Sequence, residues 1–164
     1  MTATDTARDI EKVWDIVEDV DFCMLTTISG GELRARPMSS HADRAAGAIL
    51  FLTDVRGHKD EEIAADPRAC LGYAATGKNL YLSVTGHASI ENDRAKIREL
   101  WDAGADMFWP KGPDDENVRV LRFEPSRAEW WDGPNAVVVA LKMAKAKLTG
   151  GTPDFGENRK VTLG

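Results

Sequence analysis

The sequence predicts a mainly β protein with flanking helices, built as a small antiparallel barrel of six to seven strands with Greek-key-like connections. About seven short segments rich in β-branched and aromatic residues follow one another with turn residues between them. Gly86 lies in the middle of the longest segment, and a glycine inside a strand is typical of the bends at which barrels turn corners. The 164 residues, 43% of them hydrophobic, are enough for one domain over the whole length, residues 1–164.

The order of the elements follows from periodicity and turn chemistry. Apolar residues at helical spacing around Trp14 predict a first helix capped by Asp5 or Thr6, and Ser29-Gly30-Gly31 predicts a hairpin turn. The predicted strands cover residues 22–28, 32–38, 48–53, 69–75, 80–90, 118–123 and 126–131. The remaining predictions are helices at 59–65, from 92 onward and at 135–148, loops at 39–47 and 105–117, and a loosely held tail at 149–164.

Charge and composition exclude several classes of function. The formal net charge is −6 and the pI is about 5.1, whereas nucleic-acid binding and docking on anionic membranes both require a basic surface. No run of 18 apolar residues is present, so no membrane-spanning segment is predicted. The first residues lack the apolar core of a signal peptide, and a cytoplasmic location is therefore expected.

One stretch of the sequence predicts an anion site. Thr53 ends a strongly apolar strand, a tight turn follows, and His58 and Lys59 then open a helix whose first backbone N–H groups are free. Arg36 on an earlier strand can reach the same point, and a guanidinium fork suits phosphate geometry. Phosphorylated cofactors need such a pocket. Alternatively, Lys59 belongs to a solvated charged face and Arg36 is an ordinary surface residue of a strand.

Six short motifs, each weak alone, occur in a fairly specific order and spacing. They are Arg-Pro-Met at 36–38, Phe-Leu-Thr-Asp at 51–54, His-Lys at 58–59, Tyr-Leu-Ser-Val-Thr-Gly-His-Ala at 81–88, Trp-Pro-Lys-Gly at 109–112 and Ala-Glu-Trp-Trp-Asp at 128–132. On these motifs the chain resembles the pyridoxamine 5′-phosphate oxidase-like flavoproteins, the FMN-binding split barrels, and within them the bacterial general stress protein branch. The resemblance extends from about residue 7 to the end of the chain.

The resemblance implies a six-stranded split barrel that binds FMN. By analogy, Arg36 and Met38 line the flavin, while Leu52 and Thr53 hold the edge of its ring. The His-Lys pair at 58–59 binds the phosphate.

The resemblance also implies a homodimer with two FMN sites at its interface. Tyr81 or Ser83 would come from the strand that faces the flavin. Trp131, together with Trp109 and Lys111, would come from the other subunit.

Two features depart from the oxidases proper. Those enzymes have Ser-Arg-Lys where this chain has Gly57-His58-Lys59, so one fixed cation is replaced by a histidine whose charge depends on pH. The arginine-rich C-terminal segment that holds pyridoxal phosphate in true oxidases has no match here. Oxidation of vitamin B6 is therefore not expected.

Few side chains could carry chemistry on their own. Cys23 and Cys70 lie far apart in apolar surroundings and are interpreted as reduced core residues, with a catalytic cysteine as the lesser alternative. His41 and His87 lack partners at metal-binding spacing, so no metal site is predicted. This pattern fits a flavin protein, in which the cofactor supplies the chemistry.

Three functions therefore compete. The first is an FMN-dependent oxidoreductase that takes electrons from a reduced nicotinamide and passes them to an unknown small acceptor. The second is a flavin-binding stress protein without catalytic activity. The third is a split barrel that has exchanged FMN for a deazaflavin, haem or a tetrapyrrole.

Overall fold

The structure is a computed structural model, and it describes residues 3–134, 136–149 and 156–163. Its strands form a single antiparallel sheet. The strands are β1 (Phe22–Ser29), β2 (Glu32–Ser39), β3 (His41–Asp43), β4 (Ala48–Asp54), β5 (Arg68–Ala75), β6 (Leu80–Glu91), β7 (Val118–Asp132) and β8 (Glu157–Thr162). The order of the strands in the sheet is β2-β1-β5-β6-β7-β4-β3. β8 is additional to this order and pairs with β7. The predicted fold class, mainly β with flanking helices, is confirmed.

The sheet bends into a barrel at one point. The pairing of β6 with β7 shifts register between Thr85 and Gly86, and Gly86 lies opposite Pro125. A Cβ atom on Gly86 would stand 2.1 Å from the carbonyl oxygen of Glu124, so only glycine allows this approach. Before the bend β7 pairs with β4, and after it β7 pairs with β8.

The barrel is split along one side. β2 is an edge of the sheet order, and it approaches β4 although no pairing joins the two strands. We call this opening the gap between β2 and β4.

The helices pack around the sheet. They are α1 (Ala3–Asp19), α2 (Lys59–Ala65), α3 (Arg94–Leu100), α4 (Ala103–Phe108) and α5 (Ala136–Thr149). α2 contacts β1 and β6 beside the gap, and it follows the 3-10 turn Val55–Gly57 that ends β4. In the described part of the chain, no helix is long and apolar enough to cross a membrane.

Two hydrophobic clusters stabilise this arrangement. The main cluster fills the barrel and the contact with α1, and it includes Phe51, Leu71 and Phe123. The second cluster lies on the other face of β4, where Leu50 and Ile97 pack with Trp109. Successive side chains of β4 therefore pack in different clusters, because side chains alternate between the two faces of a strand.

The C-terminal half of the chain differs in detail from the predictions. Residues 118–132 form one strand rather than two, because Pro125 lies at the register shift, where a missing N–H is tolerated. The predicted 105–117 loop contains most of α4, which Asp102 caps. The predicted loose tail contains β8, whose Val161 is buried. Residues 150–155 of that tail lie outside the described residues.

Candidate functional site

β2 presents cations to the gap. Arg34, Arg36 and Met38 alternate along the side of the strand that continues the buried side of β1, since Arg36 is paired with Leu25. Met38 packs against the main core cluster. The two arginines lie beyond it, where α2 crosses the end of β1.

Glu62 of α2 connects these groups. Its side chain is only 7% exposed, and its two carboxylate oxygens accept hydrogen bonds from Arg34 Nη1 at 2.9 Å, Arg36 Nη2 at 2.8 Å and Thr27 Oγ1 at 3.1 Å. Burial alone would raise the pKa of Glu62, but the hydrogen bonds from Arg36 and Thr27 outweigh burial and hold this pKa below its usual value. Glu62 is therefore a buried, ionised carboxylate between two guanidinium groups.

Lys59 lies at the same place with its charge unmatched. It begins α2, and no salt bridge to Lys59 is found within the described residues. Its pKa is lowered from the ordinary value, first by burial and second by the positive charge of Arg36, while Asp54 and Glu62 act in the opposite direction. Two cations close enough to influence one another indicate a place for a bound anion.

Buried polar atoms point to the same place. Three of the buried side-chain atoms that lack a hydrogen-bond partner in the described part of the chain belong to this region: Arg36 Nη1, Thr53 Oγ1 and Asp60 Oδ1. Thr53 is 2% exposed, and it is the penultimate residue of β4, on the face that carries Phe51. Buried polar groups are almost always paired, so a free guanidinium N–H and a free hydroxyl fit a ligand with oxygen acceptors.

His58 lies at the surface rather than among these groups. Its backbone has φ 57°, in the left-handed region, and it precedes α2 without a side-chain hydrogen bond that caps the helix backbone. The imidazole is 73% exposed, with Nδ1 3.3 Å from a carboxylate oxygen of Glu61. The first turn of α2 also carries its own carboxylates, which disfavour an anion at the helix terminus. A role of His58 toward phosphate remains a prediction.

Leu52 and Trp109 lie on the other side of β4. Leu52 packs with the second cluster, and Trp109 is 7% exposed within that cluster. The indole N–H of Trp109 donates to Asp54 at 2.9 Å. Hydrogen bonds from Arg56 and Trp109 outweigh burial and lower the pKa of Asp54 to about 2. Trp109 thus anchors the turn after β4, and its contact with a cofactor remains a prediction.

Lys111 follows in the loop after α4. It is exposed, and it adds to the backbone N–H of Asn117 in lowering the pKa of Asp115. Arg56 of the turn after β4 acts on the same carboxylate, so Lys111 lies on the side of the molecule where that turn leads into α2.

Tyr81, Ser83 and Trp131 lie on the outer surface of the barrel. Tyr81 is paired with Trp131 across β6 and β7, and both side chains are exposed, Trp131 by 37%. They line a groove of about 520 Å³ together with Asn79 and Asn158. Ser83 lies two residues along β6 on the same face, where its hydroxyl is 3.5 Å from the thiol of Cys70. Tyr81 and Trp131 thus lie on the outer face of the sheet, whereas Arg36 lies on the side of β2 that continues the buried side of β1.

A comparison with known protein families shows to which family the chain belongs. The sequence model of the family described as pyridoxamine 5′-phosphate oxidase like matches residues 8–154. The chain belongs to this family. The resemblance inferred from the six motifs is thereby confirmed.

Solved structures agree with membership of the pyridoxamine 5′-phosphate oxidase-like family. A protein described as general stress protein 26 from Jannaschia sp. CCS1 is 33% identical, with a TM-score of 0.76 over 95% of this chain and 99% of that one. The general stress FMN/FAD binding protein of Xanthomonas citri is 23% identical, with a TM-score of 0.68 over 77% and 89% of the two chains, and this likeness shows the fold alone. Protein bli-3 of Neurospora crassa is 27% identical over 86% of this chain and 73% of its own length.

Sequence reasoning missed Glu62 in this member of the pyridoxamine 5′-phosphate oxidase-like family. It considered a solvated charged face, formed by Lys59 with Asp60, Glu61 and Glu62, only as an alternative, and it gave Glu62 no role of its own. Helical spacing could have predicted the position of Glu62. Glu62 and Ile63 follow Lys59 by three and four residues, so all three share one face of the helix. Both Glu62 and Ile63 are buried.

Proposed function

We propose that this chain binds FMN in the gap between β2 and β4, with the phosphate held by Arg36, Lys59 and Thr53. The observation that carries the proposal is a pair of buried, unpartnered donors on the two strands that flank the gap, Arg36 Nη1 of β2 and Thr53 Oγ1 of β4. The ammonium of Lys59 lies close enough to Arg36 for the charge of Arg36 to lower its pKa. Three such donors match the oxygens of a phosphate monoester, and the two cations match its charge. Met38, half-buried on the same side of β2, would contact the ring.

The comparisons support FMN over other phosphorylated ligands. The Xanthomonas citri protein is named for binding FMN or FAD, and a structure from Nostoc punctiforme PCC 73102, 15% identical with a TM-score of 0.62, is named an FMN binding protein. Both share the fold of this chain, and in this chain the fold places the cations at the gap.

We propose further that the protein is an FMN-dependent oxidoreductase acting on an unknown small substrate. Bound FMN would supply the redox chemistry, accepting two electrons from a reduced nicotinamide and passing them to an acceptor. The chain's own residues would bind and orient the cofactor: the cations would fix the phosphate, and Met38 would exclude water from one face of the ring. True pyridoxamine phosphate oxidase activity is not part of the proposal.

A homodimer completes the proposal. The aromatic pair Tyr81 and Trp131 is exposed on the outer face of the sheet, opposite to the side of β2 that carries Arg36. The same pair in a second chain can cover a flavin held in the gap of the first.

The test begins with the purified protein. We expect bound or added FMN to show the absorbance of oxidised flavin, and we expect FMN to bind at least about tenfold more tightly than riboflavin, which lacks the phosphate. Equal affinities would contradict the phosphate site. A co-purified deazaflavin, haem or tetrapyrrole, identified by mass, would contradict the choice of cofactor.

Catalysis is tested separately. Anaerobic mixing of the FMN-bound protein with NADH or NADPH should bleach the flavin rapidly. If neither nucleotide bleaches a protein that binds FMN tightly, then it is a flavin-binding protein without this reductase activity.

A further inference from the structure

Glu62 is the one buried carboxylate in the described residues that joins both arginines of β2. It lies on α2, three residues after Lys59, and its bonds to Arg34, Arg36 and Thr27 tie the helix to β1 and β2. The bond to Arg36 uses Nη2 and leaves Nη1 buried and free. The hydrogen bond to Glu62 therefore fixes one side of the guanidinium, and Nη1 remains available as a donor in the gap.

We propose that Glu62 is a positioning residue, which holds Arg36 in the orientation that receives the phosphate of FMN. The inference rests on the proposed FMN site. A free arginine side chain would have to be ordered when the ligand binds, and holding it beforehand removes that loss from the binding equilibrium. Glu62 does not touch the ligand and acts through Arg36.

The opposite effect must be weighed. A carboxylate close to an anion site repels a phosphate, so removing Glu62 could strengthen FMN binding. Two guanidinium groups already neutralise Glu62 at hydrogen-bond distance, and most of its field is cancelled at the ligand. Removing the carboxylate, in contrast, releases Arg36 completely. We therefore expect the loss of positioning to dominate.

The experiment measures FMN and riboflavin affinities of the full chain by flavin fluorescence, in wild type, Glu62→Ala, Glu62→Gln and Arg36→Ala. We expect Glu62→Ala to weaken FMN binding about tenfold and riboflavin binding less than about twofold. Glu62→Gln keeps an amide oxygen as acceptor but not the charge, so its loss should be intermediate. If Glu62→Ala fails to fold, Glu62→Gln against wild type carries the same comparison.

Two further measurements separate positioning from structure and from charge. In the Arg36→Ala background, Glu62→Ala should change FMN affinity less than about twofold, because the residue through which Glu62 acts is gone. Glu61→Ala removes an exposed carboxylate from the same helix, and it should leave FMN affinity unchanged or slightly raised.

Several results would overturn the inference. Equal losses for FMN and riboflavin would mean a purely structural role, tighter FMN binding in Glu62→Ala would mean that Glu62 competes with the ligand, and additive losses in the double variant would mean independent action. If wild type shows no preference for FMN over riboflavin, or Arg36→Ala leaves that preference intact, the proposed site fails and this inference fails with it. If that preference depends on Arg36 but Glu62→Ala behaves like wild type, only the role of Glu62 fails.

Discussion

The proposed phosphate site rests on two buried polar atoms that have no hydrogen-bond partner in the described part of the chain. A buried donor without a partner is unfavourable by about 1–3 kcal/mol. Arg36 Nη1 and Thr53 Oγ1 both carry that penalty in the protein alone. A phosphate that accepts hydrogen bonds from both atoms would remove this penalty and add a charge-assisted hydrogen bond. The unpaired donors therefore reduce the stability of the ligand-free protein and increase its affinity for phosphate.

Lys59 should make the affinity for FMN depend on pH. The ammonium form attracts phosphate, and burial together with Arg36 lowers its pKa in the free protein. FMN affinity should therefore be full at neutral pH, and it should fall as pH rises through the lowered pKa of Lys59, since bound phosphate favours the protonated form. We expect this decline to begin between neutral pH and the ordinary lysine pKa of about 10.4. Titrations of FMN across this range, with riboflavin in parallel, measure it.

Two variants control the Lys59 prediction. Lys59→Arg keeps its charge throughout this range, so its FMN affinity should stay flat where that of wild type falls. Lys59→Ala should weaken FMN by roughly ten- to a hundredfold, corresponding to about 1.5–3 kcal/mol for a charge-assisted bond, with little change for riboflavin. Superimposable pH profiles for wild type and Lys59→Arg would show that Lys59 does not titrate at the site.

Among the secondary-structure elements, the bend at Gly86 is the most exacting. A Cβ atom there would approach Glu124 O to 2.1 Å and Phe123 Cζ to 2.8 Å, and neither a strand backbone nor a buried ring can move far. Gly86→Ala should lower the free energy of unfolding by about 1–3 kcal/mol or more, measured by urea denaturation. Gly77→Ala is the matched control, because nothing lies within 4 Å of its Cβ position, and it should stay within about 0.5 kcal/mol of wild type. Equal stability of Gly86→Ala and wild type would contradict the close approach.

The same elements show what a sequence reveals about a fold. The hairpin, the buried strand β4, helix α2 and the bend at Gly86 were all predictable, because each depends on local residues: glycine turns, apolar runs and helical spacing. β8 was not predictable in this way. Its sequence, Glu-Asn-Arg-Lys-Val-Thr, is polar, and pairing with the edge of β7 makes it a strand. Tertiary context decided that element.

For the candidate site, the sequence indicated the proposed phosphate-binding residues better than the residues that hold them in place. Arg36, Thr53 and Lys59 follow from their places on two strands and at a helix start, and in the structure Lys59 lies close enough to Arg36 for their charges to interact. The roles of Trp109 and Glu62 depend on packing between distant segments, namely the turn after β4 for Trp109 and β2 for Glu62. No local pattern shows that an indole 55 residues away holds that turn.

The molecule as a whole carries an apolar outer face that a monomer would expose to water. Phe22 and Met24 of β1 and Tyr81 and Trp131 of β6 and β7 are all exposed, and strand alternation places them on one side of the sheet. Contiguous apolar surface of this kind is typical of an interface between identical chains. We therefore expect sedimentation to show a homodimer.

Dimerisation has a consequence for the cofactor that can be tested by mixing chains. If the flavin held in the gap of one chain is covered by Trp131 of the other, Trp131→Ala should weaken FMN by about tenfold while the protein stays folded and dimeric. Each homodimer of Lys59→Ala or of Trp131→Ala then has two defective sites. A mixed dimer of the two variants should regain about one intact site, because the undamaged Lys59 and the undamaged Trp131 meet at a single gap. Titration of co-refolded chains with FMN should show a tight-binding fraction that neither variant shows alone. A monomer that binds FMN tightly, or a mixed dimer without that fraction, would contradict a site shared between two chains.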